Sequence, residues 1–332
     1  MKKKIRVSLC MLLIALLIIP LAACGKEKVK KVRVAEVTRS IFYAPQYVAL
    51  EKGFFKEEGL EVDLKTTPGG DKTMTALLSN GADIALVGSE TSIYVEAQGS
   101  KDPVINFAQL TQTDGTFLVS RKKISSFDWN QLKGSTFLGQ RKGGMPQMAG
   151  EFALRKHGID PHKDLKLIQN IDYANIATAF ASGTGDYVQL FEPTASVFEK
   201  EGKGYIIASF GTESGHLPYT GYMTKKSFLT EDKDTIEKFT RAVYKAQKWV
   251  YSHSSKDTAK VIEPYFPDTD LSLITTVVDR YKSQESFAKN PILDEKEWNN
   301  LQDVMNEAGE LPKRIKYGKL VNTSIAKNVI KN

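Results

Sequence analysis

The chain is predicted to be an α/β protein of two similar lobes with a helical C-terminal tail, on three observations. Short β-rich runs alternate with helical segments between Val32 and a helix opening near Glu90. The same alternation returns between about Leu118 and Thr220, and beyond it the pattern turns wholly helical. Alternation of this kind winds helices over parallel sheets, and its repetition after a break implies two such units.

The N-terminal stretch is an export signal. Lys2, Lys3, Lys4 and Arg6 precede eleven uninterrupted apolar residues, Leu9 to Ile19, and then Pro20 and Leu21-Ala22-Ala23-Cys24. Eleven residues fall short of the roughly 20 that a membrane-crossing helix needs, so cleavage is expected. Leu-Ala-Ala-Cys resembles the bacterial lipobox. The resemblance implies removal of residues 1–23, diacylation of Cys24 and anchoring of the mature chain to the extracytoplasmic face of the cell membrane. Ordinary secretion with a free Cys24 is the alternative. The Lys-rich stretch Lys26 to Lys31 reads as part of a tether over residues 24–31, able to touch anionic head groups.

Composition narrows the function classes. Cys10, the only other cysteine, falls in the cleaved segment, which removes disulfides and thiol catalysis from the mature protein. The formal charge of +7 includes the four positive residues of the signal, leaving about +3, and no basic stripe suggests nucleic acid. With 41% hydrophobic and 26% charged residues, the chain suits about two globular domains.

In the first lobe, Val32–Val37 reads as a strand, 45–52 as a helix and 60–65 as a strand, with Gly53 and Gly59 between them. Asp71 is placed to cap a helix carrying Met74, Leu77 and Leu78 on one face, and Gly81 stops it. A buried strand over 83–87 leads to the helix near Glu90. In the second lobe the strands are 136–139, 165–169, 187–191 and 205–209. The helices between them cover 146–157, with Met148, Ala149, Phe152 and Ala153 inward, then 172–182, then a helix opened by Pro193.

The tail shows helical stripes. Ile236, Phe239, Val243, Ala246 and Val250 share one face; Leu273, Ile274, Val277, Val278 and Tyr281 share another. Asp294 and Glu297 open a helix carrying Trp298, Leu301, Val304 and Met305, which stops at Gly309. A purely helical tail needs a partner, so it is expected to pack on the first lobe.

Ligands of open parallel sheets sit outside the carboxyl ends of the strands. The loops to watch are therefore 38–43, 66–71, 88–91, 140–147, 170–173 and the position after Phe191. Gly70 and the pair Gly143-Gly144 bring side-chain-free backbone close to helix starts, where N–H groups meet anions. Phe42, Tyr43, Tyr173, Tyr187, Phe191 and Tyr219 supply rings for a planar or apolar solute. Glu192 is the carboxylate expected to accept from an N–H-bearing solute.

The run Phe42-Tyr43-Ala44-Pro45-Gln46-Tyr47 to Gly59-Leu60-Glu61-Val62 resembles the first-lobe signature of the sulfonate, nitrate and pyrimidine-precursor group of periplasmic binding proteins. Gly81-Ala82-Asp83-Ile84-Ala85 and Asp186 to Pro193 match the same group. The resemblance covers nearly all of the mature chain. It implies a type II periplasmic-binding-protein fold, with lobe one at 32–117 and 222–332, lobe two at 118–221, and crossovers near 117–120 and 219–224. It further implies a solute-binding lipoprotein of an ABC importer, acting as a monomer, without cofactor, alongside a permease and its cytoplasmic ATPase. Oxyanion binders of the group use small hydroxyls and helix starts, for which Ser40, Ser89, Thr91, Gly143 and Gly144 are placed. Pyrimidine-precursor binders use aromatics and an acid, for which Phe42, Tyr43, Tyr173, Tyr187 and Glu192 are placed. Glu90 lies in the same loop as Ser89 and Thr91. A buried carboxylate repels a sulfonate, so a planar, nitrogen-containing solute is favoured.

Two other readings compete. A pyrimidine synthase shares the fold but carries a cysteine-rich motif absent here, and a sensor would hand the same solute to a receptor rather than a permease. His157, His162, His216 and His253 are scattered and lack metal-ligand spacing, and Gly211-Thr212-Glu213-Ser214-Gly215 lacks the spacing of a nucleophile elbow.

Overall fold

The structure is a computed structural model that describes residues 29–331. The expected signal and Cys24 lie outside the described residues. No helix among the described residues is long and apolar enough to cross a membrane.

Two five-stranded sheets organise the chain, in the orders β2-β1-β3-β10-β4 and β7-β6-β8-β5-β9. The first contains β1 (Lys30–Glu36), β2 (Leu60–Thr66), β3 (Ile84–Gly88), β4 (Val104–Thr111) and β10 (Thr220–Lys225). The second contains β5 (Thr116–Ser120), β6 (Thr136–Leu138), β7 (Lys166–Ile168), β8 (Tyr187–Phe191) and β9 (Tyr205–Ser209). β1 pairs in parallel with β2 and β3, Val34 facing Leu64 and Ile84. β6 likewise pairs in parallel with β7 and β8.

Each sheet also holds one antiparallel strand, β10 in the first and β5 in the second. These two strands are the ones by which the chain enters a sheet from the other lobe. The crossings themselves run between Thr111 and Thr116 and between Ser209 and Thr220. Both lie a few residues before the expected segments 117–120 and 219–224, which are instead paired backbone. β4, buried along its whole length, completes the first sheet without having been expected.

Most helices form where apolar spacing places them, and side-chain caps open the tail helices Lys233–Ser252, Leu271–Ser283 and Glu295–Glu307. Asp294 accepts from the Glu297 N–H at 2.8 Å, as expected. Asp71 differs: the helix Gly70–Leu78 has Gly69 at its cap position, two residues earlier, so Asp71 lies inside its first turn and caps nothing. Residues 172–175 form a turn, and the helix expected from 172 is confined to Ile176–Ala181.

The tail helix Lys233–Ser252 buries Ile236, Phe239, Val243, Ala246 and Val250 on the first lobe, against the helices Ala44–Glu51 and Phe54–Glu57. Two later tail helices reach further than expected. Leu271–Ser283 touches the second-lobe helix Thr194–Lys200, and Glu295–Glu307 touches Met145–Lys156. Lys200 pairs with Asp270 at 2.7 Å on the same side.

A polar knot fixes the end of β1. Glu36 is fully buried and accepts from Arg39 at 2.7 Å, Gln46 and Thr66 at 2.8 Å and Tyr47 at 2.9 Å. A buried carboxylate is tolerable when this fully bonded. The knot holds the loop from Thr38 to Tyr43 against the sheet.

Candidate functional site

A cavity of about 990 Å³ lies between the lobes. Its walls are the segments leaving the carboxyl ends of the parallel strands: Val37 and Thr38 after β1, 68–75 after β2, 87–95 around the end of β3, 140–146 after β6, 172–174 after β7, and Phe191 at the end of β8. Tyr219 and Thr220, from the returning crossover, complete it.

Eight of the thirteen residues expected at the ligand face this cavity: Tyr43, Gly70, Glu90, Thr91, Gly143, Gly144, Tyr173 and Tyr219. The other five are placed elsewhere. Ser40 caps the short 3-10 turn Ile41–Tyr43, accepting from the Phe42 N–H. Phe42 is buried behind the wall, its ring 5.0–6.3 Å from those of Tyr43, Phe191, Tyr219 and Tyr281. Ser89 is fully buried beside Gly221. Tyr187 packs on the smaller apolar cluster of the second lobe.

Glu192 also leaves the cavity. Its side chain is fully buried, accepts from the Ser196 N–H at 2.9 Å and hydroxyl at 2.8 Å, and is paired with Arg280 of the tail. The acid of the cavity is Glu90. It is the first residue of the helix Glu90–Ala97, only 5% exposed, and its Oε2 has no hydrogen-bond partner. Burial pushes its carboxyl up to about 8, with the backbone N–H groups of Glu90 and Met145 pulling the other way.

Tyr219 stands in the same cavity with its hydroxyl buried beside the carboxyl of Asp114. Burial and the neighbouring Asp114 hold that hydroxyl well above its ordinary range. Asp114, behind it, is pushed up to about 6 by burial despite bonds from the Thr116 N–H and hydroxyl. An unsatisfied buried polar atom costs on the order of 1–3 kcal/mol, so the Glu90 Oε2 marks a place for a polar group that the chain does not supply.

The mouth is charged. Arg141 stands 3.9 Å from Asp71 of the first lobe and 3.8 Å from Asp172 of the second. Tyr94 donates to the Gly143 carbonyl across the cleft at 3.3 Å. Tyr94, Arg141 and Met145 line the cavity and were not singled out from sequence, although Tyr94 lies one helical turn beyond Glu90 on the same face. Among the described residues no group of three His, Cys, Asp or Glu is arranged to hold a metal.

Comparison with known proteins agrees with this architecture. The profile described as NMT1/THI5 like matches residues 41–256. YtlA of Bacillus subtilis (strain 168), provisionally named a binding protein, is 67% identical over 314 residues, 94% of each chain. A 4-amino-5-hydroxymethyl-2-methylpyrimidine phosphate synthase of Aspergillus parasiticus is 26% identical over 259 residues, 74% of this chain and 72% of its own. Among solved structures, the periplasmic aliphatic sulphonate binding protein SsuA of Escherichia coli superposes with a TM-score of 0.70 at 15% identity, covering 91% of this chain and 99% of that one. The likeness to SsuA concerns the fold, which is that of the periplasmic binding proteins.

Proposed function

The chain belongs to the NMT1/THI5-like family, and from that premise we propose that it is the extracytoplasmic solute-binding protein of an ABC importer. It captures a small, planar, nitrogen-containing solute of the pyrimidine-precursor kind between its lobes and passes it to a permease. The observation that carries this reading is the cleft itself: about 990 Å³, walled by loops of both lobes, with the rings of Tyr43, Tyr173, Phe191 and Tyr219 around a buried acid. A site of that size and lining matches small-molecule recognition.

Binding without chemistry is the favoured mode. The chain has two cysteines, Cys10 and Cys24, too few for the cysteine-rich motif expected of a synthase. Solute contacts on both lobes favour the closed arrangement by differential affinity, a hinge closure biased by ligand. In this reading Cys24 carries the lipid that keeps the protein at the membrane. Cys24→Ser is expected to move the protein from the membrane fraction to the medium or periplasm; unchanged membrane association speaks against the anchor.

A thermal-shift screen against pyrimidines, aminopyrimidines, sulfonates, nitrate and amino acids tests the solute class. At a ligand concentration one hundred times Kd, binding adds about 2.7 kcal/mol, a shift of a few degrees for a chain of this size. Stabilisation by a pyrimidine supports the reading. Stabilisation by sulfonates alone replaces the solute class and moves attention to Thr91, Gly143 and Gly144.

A further inference from the structure

We propose that Glu90, together with Tyr219, decides which solute the cleft accepts: it selects a planar group that presents N–H donors, such as an aminoazine or amidine, and turns away sulfonates and other oxyanions. This rests on the reading of the cleft as the solute site and names the residues that give that site its selectivity.

One buried polar atom of the cavity, the Glu90 Oε2, lacks a partner, and the Tyr219 hydroxyl beside Asp114 stands in the same cavity. They differ in chemistry. A phenol both donates and accepts, and a carboxyl that burial keeps protonated offers one O–H beside one accepting oxygen. A solute that satisfies this carboxyl brings an N–H donor beside an acceptor, which is the edge pattern of an amino-substituted nitrogen heterocycle, with a further polar atom toward Tyr219. The rings of Tyr43 and Tyr219 in the same cavity suit a flat solute.

The acid is also positioned to exclude anions. A helix N-terminus attracts negative charge through its free N–H groups. The helix Met145–Lys156 of the second lobe opens on this cleft, and its first N–H, that of Met145, is directed toward Glu90 of the first lobe. The place where an oxyanion would be held is thus occupied by the Glu90 side chain of the chain itself. An incoming sulfonate would have to displace Glu90 or lie against it.

Backbone geometry makes room for this. A Cβ added to Gly88 would fall 2.1 Å from the Glu90 Oε2 and 2.6 Å from its Oε1. The carboxyl is therefore folded over bare backbone, and Gly88→Ala must push it away without changing any charge.

The test uses the full chain in detergent and four probes: 4-aminopyrimidine and benzamidine as N–H donors, ethanesulfonate and benzenesulfonate as oxyanions. Titration calorimetry is run on wild type, Glu90→Gln and Gly88→Ala, with thermal melts confirming that each variant is folded. Wild type is expected to bind at least one N–H probe and neither sulfonate. Glu90→Gln is expected to weaken that binding tenfold or more, and Gly88→Ala to weaken it in the same direction. N–H probe affinity within threefold of wild type in Glu90→Gln overturns the proposal, as does silence from both N–H probes. A sulfonate bound by wild type also overturns it; if Gly144→Val abolishes that sulfonate binding, the cleft reading survives while the role of Glu90 falls.

Discussion

Arg280, on the tail helix Leu271–Ser283, donates to the buried carboxylate of Glu192 at the end of β8. The pair ties a helix that follows the second crossover to the loop opening Thr194–Lys200 in the second lobe, with Ser196 donating to both Glu192 oxygens. Glu192 is thereby a structural carboxylate, although it sits at the strand end where a ligand-binding acid was expected. Arg280 also lies over the Phe117 ring, 5.3 Å from its centroid.

Breaking that tie exposes its role. Arg280→Met leaves a buried carboxylate held only by Ser196, and removing one partner of a buried pair costs about 3–5 kcal/mol. Urea unfolding is expected to show a loss of this order, while solute affinity stays within about threefold. A large loss of affinity with little loss of stability would return Glu192 to the site.

Glu90 makes stability depend on pH in a defined direction. Its folded carboxyl titrates near 8, above the ordinary 4.5, so the native state keeps a proton that the unfolded chain releases. Its contribution is therefore fully present below about pH 4.5 and is lost as pH rises through about 8. Glu90→Gln removes the penalty and is expected to raise the stability of the ligand-free protein at pH 8.5 relative to wild type, by up to about 4 kcal/mol. The two proteins should converge near pH 5. Parallel pH profiles would show that the carboxyl is not so shifted.

The two glycines of the 143–144 loop separate conformation from access. Gly143 has a φ of +89°, which a side chain rarely adopts, so Gly143→Ala is expected to cost about 1 kcal/mol. Gly144 has extended backbone at φ −107°, and a Cβ there meets only the Pro146 ring at 3.6 Å and the Arg141 carbonyl at 3.9 Å. Gly144→Val is therefore expected to fold with a melting temperature within about two degrees of wild type while obstructing the cleft. If Gly144→Val unfolds instead, that glycine serves the fold.

Local pattern carried most of the elements and much of the cavity lining. Alternation and apolar spacing placed β1, β3, β8 and the tail helices because each depends on which face is buried. The direction of β5 and β10 depends on where the chain goes next, and nothing within Thr116–Ser120 or Thr220–Lys225 encodes antiparallel pairing. Tyr43, Glu90, Gly143 and Tyr219 were legible because they follow, or flank, the carboxyl ends of strands. The choice between Glu90 and Glu192 was not, since both are acids at such ends. Arg280, 88 residues away, turns one of them inward, and Gly88 leaves space for the other to fold into the cleft.

The most direct test of the account is a calorimetric titration of 4-amino-5-hydroxymethyl-2-methylpyrimidine into wild type and into Gly144→Val. Saturable binding at one site per chain, weakened at least tenfold in the variant, is the predicted result. Absence of binding to wild type, or equal binding to both proteins, would contradict capture of such a solute in the cleft between the lobes.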